Sequence, residues 1–213
     1  MKILNLYACL GGNRYKWDEV TDIEVTAVEW DEELARLYQE RFPNDKVIVA
    51  DAHQYLLDHY KEFDFIWSSP PCPTHSRIQI SMKTTRKMKF PDMKLYQEII
   101  FLNAFYTGKY VVENVIPYYE PLIPAKKRHR HLYWTNFNLP NNLSSRKSPD
   151  MGRTIDKVTA LGKFHDYNFR QYKGKQDHQK IARNLVDYEA GRTILETACG
   201  IIKQSNTNQL SIL

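Results

Sequence analysis

Residues 2–12 read KILNLYACLGG, a short apolar run that ends at two adjacent glycines. The next apolar run, IEVTAVEW at 23–30, is rich in β-branched residues and therefore favours a strand. It is followed by DEELARLYQERF at 31–42, where apolar residues recur at helical spacing behind an aspartate that is a good helix cap. Strands that alternate with helices predict an α/β protein.

This alternation continues through the first half of the chain. Three more runs have the length and composition of strands: KVIVAD at 46–51, FDFIWSSPP at 63–71 and KYVVEN at 109–114. Helical patterns follow at 53–60 and at 91–108, the second of which begins with proline and ends with glycine, where each is favoured. The pattern predicts a Rossmann-like, mostly parallel, doubly wound sheet.

The second half of the chain is less regular. RHRHLYWTNF at 128–137 is typical of an antiparallel strand, and VDYEAGRTILETACGII at 186–202 of an amphipathic helix. Residues 141–178 are polar and poorly periodic, which is typical of an inserted recognition segment. We therefore divide the chain into a catalytic and cofactor-binding core (1–140), a very small target-recognition segment and a C-terminal segment (179–213) that returns to the core.

Composition narrows the class of protein. The formal net charge of +5 is compatible with a nucleic-acid partner without requiring one. The three cysteines are far apart, with neither a disulfide framework nor zinc-ligand spacing, which favours a reducing compartment and predicts no metal. No apolar run has membrane-spanning length and no cleavage site follows the first strand, so we expect a cytoplasmic protein without a membrane partner.

Ligands of doubly wound sheets bind at the carboxyl ends of the strands. Gly11 and Gly12, at the end of the first strand, would let the backbone approach a ligand at the start of a helix. Glu29 can accept both hydroxyls of a ribose, Trp30 can stack on adenine, and Asp51 can accept from an exocyclic amine. Each residue has a structural alternative: the glycines could form a plain turn, and Asp51 could cap a helix. Glu29 could be a solvated acid and Trp30 a core residue.

Cys72 follows Pro70 and Pro71 at another strand end, where a thiol is placed to be a nucleophile. A free thiol is only a few per cent thiolate at neutral pH, so positive charge nearby would help it react. A basic stretch follows it: Arg77, Lys83, Arg86, Lys87 and Lys89. The alternative is a packing residue, the role we assign to the thiols of Cys9 and Cys199.

Two further candidates follow Cys72 in the chain. In an apolar site the pKa of Glu113 would rise, and a protonated Glu113 could donate to a ring nitrogen of a base; otherwise it forms a surface ion pair. Arg128 and Arg130 alternate on one predicted strand and should point to the same side, either toward phosphate or toward solvent.

Taken in order, these tracts resemble the DNA cytosine-5 methyltransferase family, in the short form of its phage-encoded members. The motifs that carry the resemblance are LYACLGG (6–12), VEWD (28–31), VAD (49–51), SSPPC (68–72), ENV (113–115), RHR (128–130) and RNLVDYEAG (183–191). The resemblance implies S-adenosylmethionine as cofactor, S-adenosylhomocysteine as product, and double-stranded DNA as the partner of a monomeric enzyme. The residues it assigns to the cofactor are Tyr7, Ala8, Cys9, Gly11, Gly12, Glu29, Trp30, Asp51, Ala52, Pro70, Asn184 and Val186.

The resemblance also implies a mechanism. The Cys72 thiolate would attack carbon 6 of a flipped-out cytosine, Glu113 would bind the ring nitrogen and amino group, and carbon 5 would take the methyl group. Arg130, with Arg128, would hold the base carbonyl and a phosphate. The loop from Thr74 to about Lys89 would close over the base. Residues expected to contact nucleic acid are Ser76, Arg77, Arg86, Lys87, Arg146, Lys147 and Arg153.

Other functions are compatible with the same residues. An enzyme of this type could act on a transfer RNA loop, which also presents unstacked cytosines. A nucleic-acid-binding regulator could keep the fold without turnover, and a Rossmann-type enzyme could use another nucleotide. Because residues 141–178 supply mainly phosphate-binding lysines and arginines, we expect a short or relaxed target sequence.

Overall fold

The computed structural model describes residues 1–81, 87–141, 146–149 and 156–201. Its strands form one seven-stranded sheet in the order β3-β2-β1-β4-β5-β7-β6. The strands are β1 (Lys2–Leu6), β2 (Glu24–Glu29), β3 (Lys46–Val49), β4 (Phe65–Ser68), β5 (Lys109–Val115), β6 (Lys126–Arg128) and β7 (His131–Thr135). The first five strands pair in parallel, and β7 runs antiparallel to both β5 and β6. The predicted Rossmann-like, mostly parallel sheet is confirmed.

Seven α-helices accompany the sheet in the described ranges. They are α1 (Glu32–Arg41), α2 (Ala52–His59), α3 (Ile78–Ser81), α4 (Lys94–Phe105), α5 (Lys157–His165), α6 (His178–Asn184) and α7 (Tyr188–Ala198). Aspartate caps the N-terminus of most of them: Asp31, Asp51, Asp156, Asp177 and Asp187 each accept a backbone N–H of the first turn. Caps of this kind are worth about 1 kcal/mol each. No helix in these ranges is both long and apolar enough to cross a membrane.

The central strands are buried on both faces, which explains their continuous apolar runs. Because successive side chains alternate, Leu4 and Ile66 face one apolar cluster, which includes residues of α2 and α4. Ile3 and Phe65 face the other, which includes residues of α7. The sheet therefore lies between two layers, and its strand ends are held at a common edge.

The prediction of a helix directly after Gly12 is wrong. Turns follow instead, and then a short 3₁₀ helix at Trp17–Glu19. The reason is tertiary: the Arg14 side chain turns into the protein, where it donates to Asp45 at 2.9 Å and to Asp18 at 2.6 Å. The pair with Asp45 is buried, and it fixes an irregular backbone that the local sequence does not specify.

The prediction that Arg128 and Arg130 alternate on one strand is also wrong. Arg128 ends β6, Arg130 precedes β7, and a tight turn joins the two strands. His129, in the turn, has a φ of 48°, the left-handed conformation that reverses a chain. The two arginines therefore leave the backbone from different strands of a hairpin.

The segment predicted for target recognition packs partly against the core. Leu161 and Phe169 are buried in the same apolar cluster as Leu10 and Leu34. Described residues of 141–178 thus share a core with the first half of the chain. The boundaries at 141 and 178 stay a prediction, as does the recognition role.

Stability should fall in weak acid because of His165. This side chain is only 2% exposed, and burial, reinforced by Arg146, Arg41 and Arg130, lowers its pKa to about 3. In the unfolded chain the pKa of histidine is about 6.5, so below that pH the unfolded state binds the extra proton. We expect the free energy of unfolding to drop by up to about 1.4 kcal/mol per pH unit between those two values from this group.

Urea unfolding at pH 7.5, 6.5 and 5.5 measures this effect. His165→Gln removes the titrating ring. The free energy of unfolding of this variant should therefore depend less on pH, at pH values above those where carboxylates titrate. His59→Gln, at an exposed position, is the matched control and should keep the wild-type slope. An unchanged slope in His165→Gln would contradict the prediction.

Candidate active site

A pocket of about 160 Å³ opens at the carboxyl ends of the parallel strands. It is lined by Tyr7, Glu29, Trp30, Asp51, Ala52, Pro70, Pro71, His75, Asp92, Lys94 and Leu95. Six of these side chains belong to the set that the sequence assigns to the cofactor: Tyr7, Glu29, Trp30, Asp51, Ala52 and Pro70. They come from four different strand ends, so the sheet brings them together as a parallel topology requires.

Glu29 and Trp30 form one side of this pocket. Glu29 is buried, and its carboxylate accepts the backbone N–H of Cys9 at 2.9 Å and of Asp31 at 3.1 Å. Burial raises the pKa of Glu29, although these amide donors oppose the shift. Each carboxylate oxygen has two lone pairs, so both can still accept from a ligand hydroxyl. Trp30 is 80% exposed, which leaves a flat apolar ring free at the rim.

Asp51 caps a helix, as one of the two sequence interpretations predicted, and it also lines the pocket. One of its oxygens accepts the Gln54 N–H at 3.0 Å and caps α2, which lowers the pKa of Asp51. The other oxygen lies 3.7 Å from the Lys94 ammonium. The carboxylate nevertheless lines the pocket, where it remains accessible to a ligand.

The loop after β1 has an unusual backbone. Tyr7, Cys9 and Gly11 have φ values of 56°, 46° and 63°, and the first two are strained because they carry a Cβ. A Cβ at Gly12 would lie 2.5 Å from the Val186 carbonyl oxygen, so this position accepts only glycine without movement. Gly12 and Val186, which the sequence assigns to the same ligand, are therefore in direct contact.

The remaining residues assigned to the cofactor surround this loop. Ala8 and Cys9 are buried in it, and the Ala8 N–H donates to the Val28 carbonyl at 3.0 Å. Asn184 ends α6 and is exposed two residues before Val186. Neither Asn184 nor the two glycines are among the residues that line the pocket.

A buried acid supports the pocket from below, and sequence analysis missed it. Glu98 on α4 is fully buried and accepts three hydrogen bonds: from Tyr7 Oη at 2.6 Å, His53 Nδ1 at 2.9 Å and Ser68 Oγ at 2.5 Å. Burial and Glu98 together raise the pKa of Tyr7. The available signal was a charged residue between buried apolar positions of a helix.

Cys72 lies four residues beyond β4, in a segment fixed by backbone contacts. Its carbonyl accepts the N–H groups of His75 and Ser76, each at 3.0 Å. The Asn114 side chain at the end of β5 donates to the Pro70 carbonyl at 2.9 Å. Asn114, to which the sequence assigned no role, therefore joins the cysteine segment to the strand that carries Glu113.

Two charges of opposite sign act on the Cys72 thiol. Burial raises its pKa, Glu113 raises it further, and Arg130 lowers it. The resting thiol is thus mostly protonated, and it gains thiolate character when the arginine dominates over the acid. A carboxyl and a guanidinium that both act on a thiol suit addition to an electron-poor ring.

Glu113 is 5% exposed and has a partner that the sequence did not reveal. Its Oε1 is in a short hydrogen bond with Nδ1 of His131, on the neighbouring strand β7. Arg130 Nε in turn donates to His131 Nε2 at 3.2 Å. The guanidinium of Arg128 binds main-chain carbonyls instead, at 2.8 Å to Lys127 and 2.6 Å to Pro140.

The residues expected to contact nucleic acid have different environments. Arg77 and Lys87 are exposed on the segment that follows Cys72, and Ser76 forms a β-bridge with Pro117. Lys147 is also exposed. Arg86 and Arg153 lie outside the described residues.

Arg146 differs from this expectation. Its guanidinium donates to Asp187, to the Tyr188 hydroxyl and to the Phe164 carbonyl, and it stacks over the Tyr188 ring at 3.8 Å. These contacts engage Nε and both terminal nitrogens. In this structure Arg146 ties α7 to α5, a packing role in place of the expected phosphate contact.

Metal ligands are not assembled in the part of the chain that the structure describes. There, no three His, Cys, Asp or Glu side chains are arranged to hold an ion.

The chain is similar to several known proteins. A family model described as C-5 cytosine-specific DNA methylase matches residues 1–117, just over half of the chain. No curated protein sequence matches significantly. Among solved structures, an Entamoeba histolytica methyltransferase matches with a TM-score of 0.59 at 12% identity, over 96% of this chain and 99% of that one. That likeness shows the fold.

Two other similar structures are longer proteins. A Spodoptera frugiperda DNMT2 variant has 26% identity and a TM-score of 0.41, over 54% of this chain and 35% of its own. A protein described as a DNA modification methyltransferase of an E. coli prophage has 17% identity and a TM-score of 0.40, over 56% and 34%. This chain therefore spans about a third of the length of each.

The charges around Cys72 predict opposite effects of two substitutions. Glu113→Gln removes a charge that raises the thiol pKa, and Arg130→Ala removes one that lowers it. Alkylation of Cys72 by iodoacetamide should therefore reach half its maximal rate at lower pH in the first variant and at higher pH in the second. Peptide mass spectrometry separates Cys72 from Cys9, whose pKa burial raises to about 12. Shifts of the same sign in both variants would contradict this arrangement.

Loss of the buried acid should destabilise the protein strongly. Glu98→Ala leaves two buried donors, His53 and Ser68, and the half-buried Tyr7 hydroxyl without an acceptor, and we expect the free energy of unfolding to fall by about 3–5 kcal/mol. Glu98→Gln keeps one acceptor oxygen, so its free energy of unfolding should fall by less. Urea unfolding measures both, with the exposed Glu120→Ala as control. If Glu98→Ala were as stable as wild type, the cluster would not support the pocket.

Proposed function

Because the chain belongs to the C-5 cytosine-specific DNA methylase family, we propose that it methylates carbon 5 of cytosine in double-stranded DNA, with S-adenosylmethionine as methyl donor and Cys72 as covalent nucleophile. The observation that carries this proposal is that Glu113 and Arg130 both act on the Cys72 thiol, next to the pocket that Pro70 and Pro71 line. S-Adenosylhomocysteine is the expected product. The reaction needs no metal.

The pocket fits the cofactor in its donor and acceptor groups. The Glu29 carboxylate has free lone pairs for ribose hydroxyls, the exposed Trp30 ring can cover adenine, and Asp51 can accept from its amine. Tyr7, held by Glu98, forms the wall, and the strained loop at Gly12 against Val186 leaves backbone groups for the methionine end. When bound, S-adenosylmethionine supplies an electrophilic methyl group.

The protein groups divide the remaining chemistry. Cys72 adds to carbon 6, which makes carbon 5 nucleophilic toward the methyl group. Glu113 binds the ring nitrogen and the amino group, and so stabilises the charge that the ring acquires. Arg130 holds the base carbonyl and lowers the pKa of the attacking thiol. After methylation carbon 5 loses its proton to a water molecule, the electron pair of that bond restores the double bond between carbons 5 and 6, and Cys72 leaves carbon 6 as a thiolate.

Base flipping supplies the target to this site. Extrusion of a paired base costs a few kcal/mol, which contacts to the strand must offset. Arg77 and Lys87, exposed on the segment that follows Cys72, and the exposed Lys147 are suited to phosphate contacts, which position DNA without reading its sequence. We propose a short or relaxed target sequence, read in part by residues of 141–178.

Parallel methylation assays test the substrate and the nucleophile together. Purified protein with tritiated S-adenosylmethionine should label double-stranded DNA and leave transfer RNA unlabelled. Bisulfite sequencing of the methylated DNA should then find 5-methylcytosine. Cys72→Ser should abolish labelling because serine cannot form the adduct, whereas Cys199→Ser, at the end of α7, should retain it. Labelled RNA would assign the RNA substrate, and activity in Cys72→Ser would overturn the nucleophile.

Trapping separates an enzyme from a regulator that only binds DNA. DNA with 5-fluorocytosine cannot lose a proton from carbon 5, so wild-type protein and cofactor should form a stable covalent complex. Cys72→Ser should form none. DNA binding by the wild type without this complex would favour the regulator.

A further inference from the structure

His131 lies next to the proposed base-binding site but in none of its motifs. It is the first residue of β7, which pairs antiparallel with β5. In this register Glu113 is opposite Tyr133, and His131 is opposite Val115. Residues that face each other across a pair of strands share one face of the sheet, and diagonal neighbours on that face can touch. His131 and Glu113 are such a diagonal pair, which makes their contact a consequence of strand register.

The contacts of the ring determine its protonation. Arginine has only donors, so Arg130 Nε, at 3.2 Å from His131 Nε2, requires a lone pair on that nitrogen. The ring proton of neutral His131 is therefore on Nδ1, which donates to Glu113 Oε1 in the short hydrogen bond. The side chains of His131 and Glu113 are 18% and 6% exposed, so water competes little for the hydrogen bond between them.

This arrangement makes the two oxygens of Glu113 unequal. Oε1 accepts from His131 and has one lone pair left, which can accept from an exocyclic amine. A proton on Glu113 is confined to Oε2, because a proton on Oε1 would oppose the Nδ1–H of His131. A carboxyl that accepts at one oxygen and donates at the other matches the amino group and ring nitrogen of cytosine. Uracil presents the reverse pattern, a carbonyl and a ring N–H.

We propose that His131 is a positioning residue that, backed by Arg130, fixes the protonation pattern of Glu113 and so selects cytosine over uracil. This inference rests on the proposed function, because Glu113 must be the group that binds the base. His131 itself acts through Glu113.

Competitive trapping measures the selection directly. Wild-type protein with cofactor is offered matched DNA duplexes with 5-fluorocytosine or 5-fluorouracil at the target position, and the ratio of covalent complexes is determined. His131→Phe keeps an aromatic ring without hydrogen bonds and should lower this ratio on the order of tenfold, as expected when one buried partner of a recognition group is lost. His131→Asn keeps a donor near Nδ1 and should restore much of it. His59→Phe, exposed on α2, is the matched control.

A ratio is independent of the folded fraction, so a purely structural role would leave it unchanged. An unchanged ratio in His131→Phe, with normal trapping of 5-fluorocytosine, would overturn the inference and leave the proposed function intact. Trapping by neither wild-type protein nor variants would overturn the proposed function.

The tautomer gives a test that does not depend on activity. Long-range ¹H–¹⁵N correlation spectra of the cofactor-free protein should show His131 protonated on Nδ1. Arg130→Ala and Glu113→Gln should each shift the ring toward the Nε2–H form, because each removes a partner that holds the present one. Protonation on Nε2 in the wild type would overturn the inference whatever the protein methylates.

Discussion

The hydrogen bond from the Asn114 side chain to the Pro70 carbonyl, 2.9 Å long, joins the two halves of the site. It connects the end of β5, which carries Glu113, to the segment after β4, which carries Cys72. Since Pro70 and Pro71 have fixed φ angles, one contact to this segment restrains the cysteine that follows. The relation between nucleophile and acid, on which the proposed chemistry depends, is therefore set by a side chain that takes no part in the chemistry.

A second group of buried polar contacts holds the nucleotide side of the site. Glu98 accepts from residues at the ends of β1 and β4 and at the start of α2, so three elements meet at one carboxylate. An unpaired buried charge is costly, and this cluster tolerates no missing partner. It supports Tyr7 in a left-handed conformation that an isolated strand would not adopt. The strained conformation of the loop is thus stabilised by the hydrogen bond of Tyr7 with Glu98.

Between these two supports, opposing charges act on the Cys72 thiol. Burial and Glu113 favour the thiol, and Arg130 favours the thiolate. Because the pKa of Cys72 is raised, its thiol reacts weakly in the protein without substrate. If Glu113 is protonated when it binds the base, as proposed above, one of the effects that raise the pKa of the thiol is lost, so substrate binding would help to activate the nucleophile.

The sequence by itself determined the alternation of strands and helices, the parallel sheet and the residues at its strand ends, because apolar periodicity, caps and turn residues act over short distances. It also identified Cys72, Glu113 and Arg130 as candidates. Only the tertiary structure decided four other features. They are the Arg14 ion pair in place of a helix after Gly12, the hairpin that separates Arg128 from Arg130, the contact of Glu98 with Tyr7, and the contact of His131 with Glu113. The three side-chain contacts among these features join residues that are 18 to 91 positions apart in the sequence. They depend on strand register and helix packing. Register is a property of the assembled sheet, so no local pattern reports it.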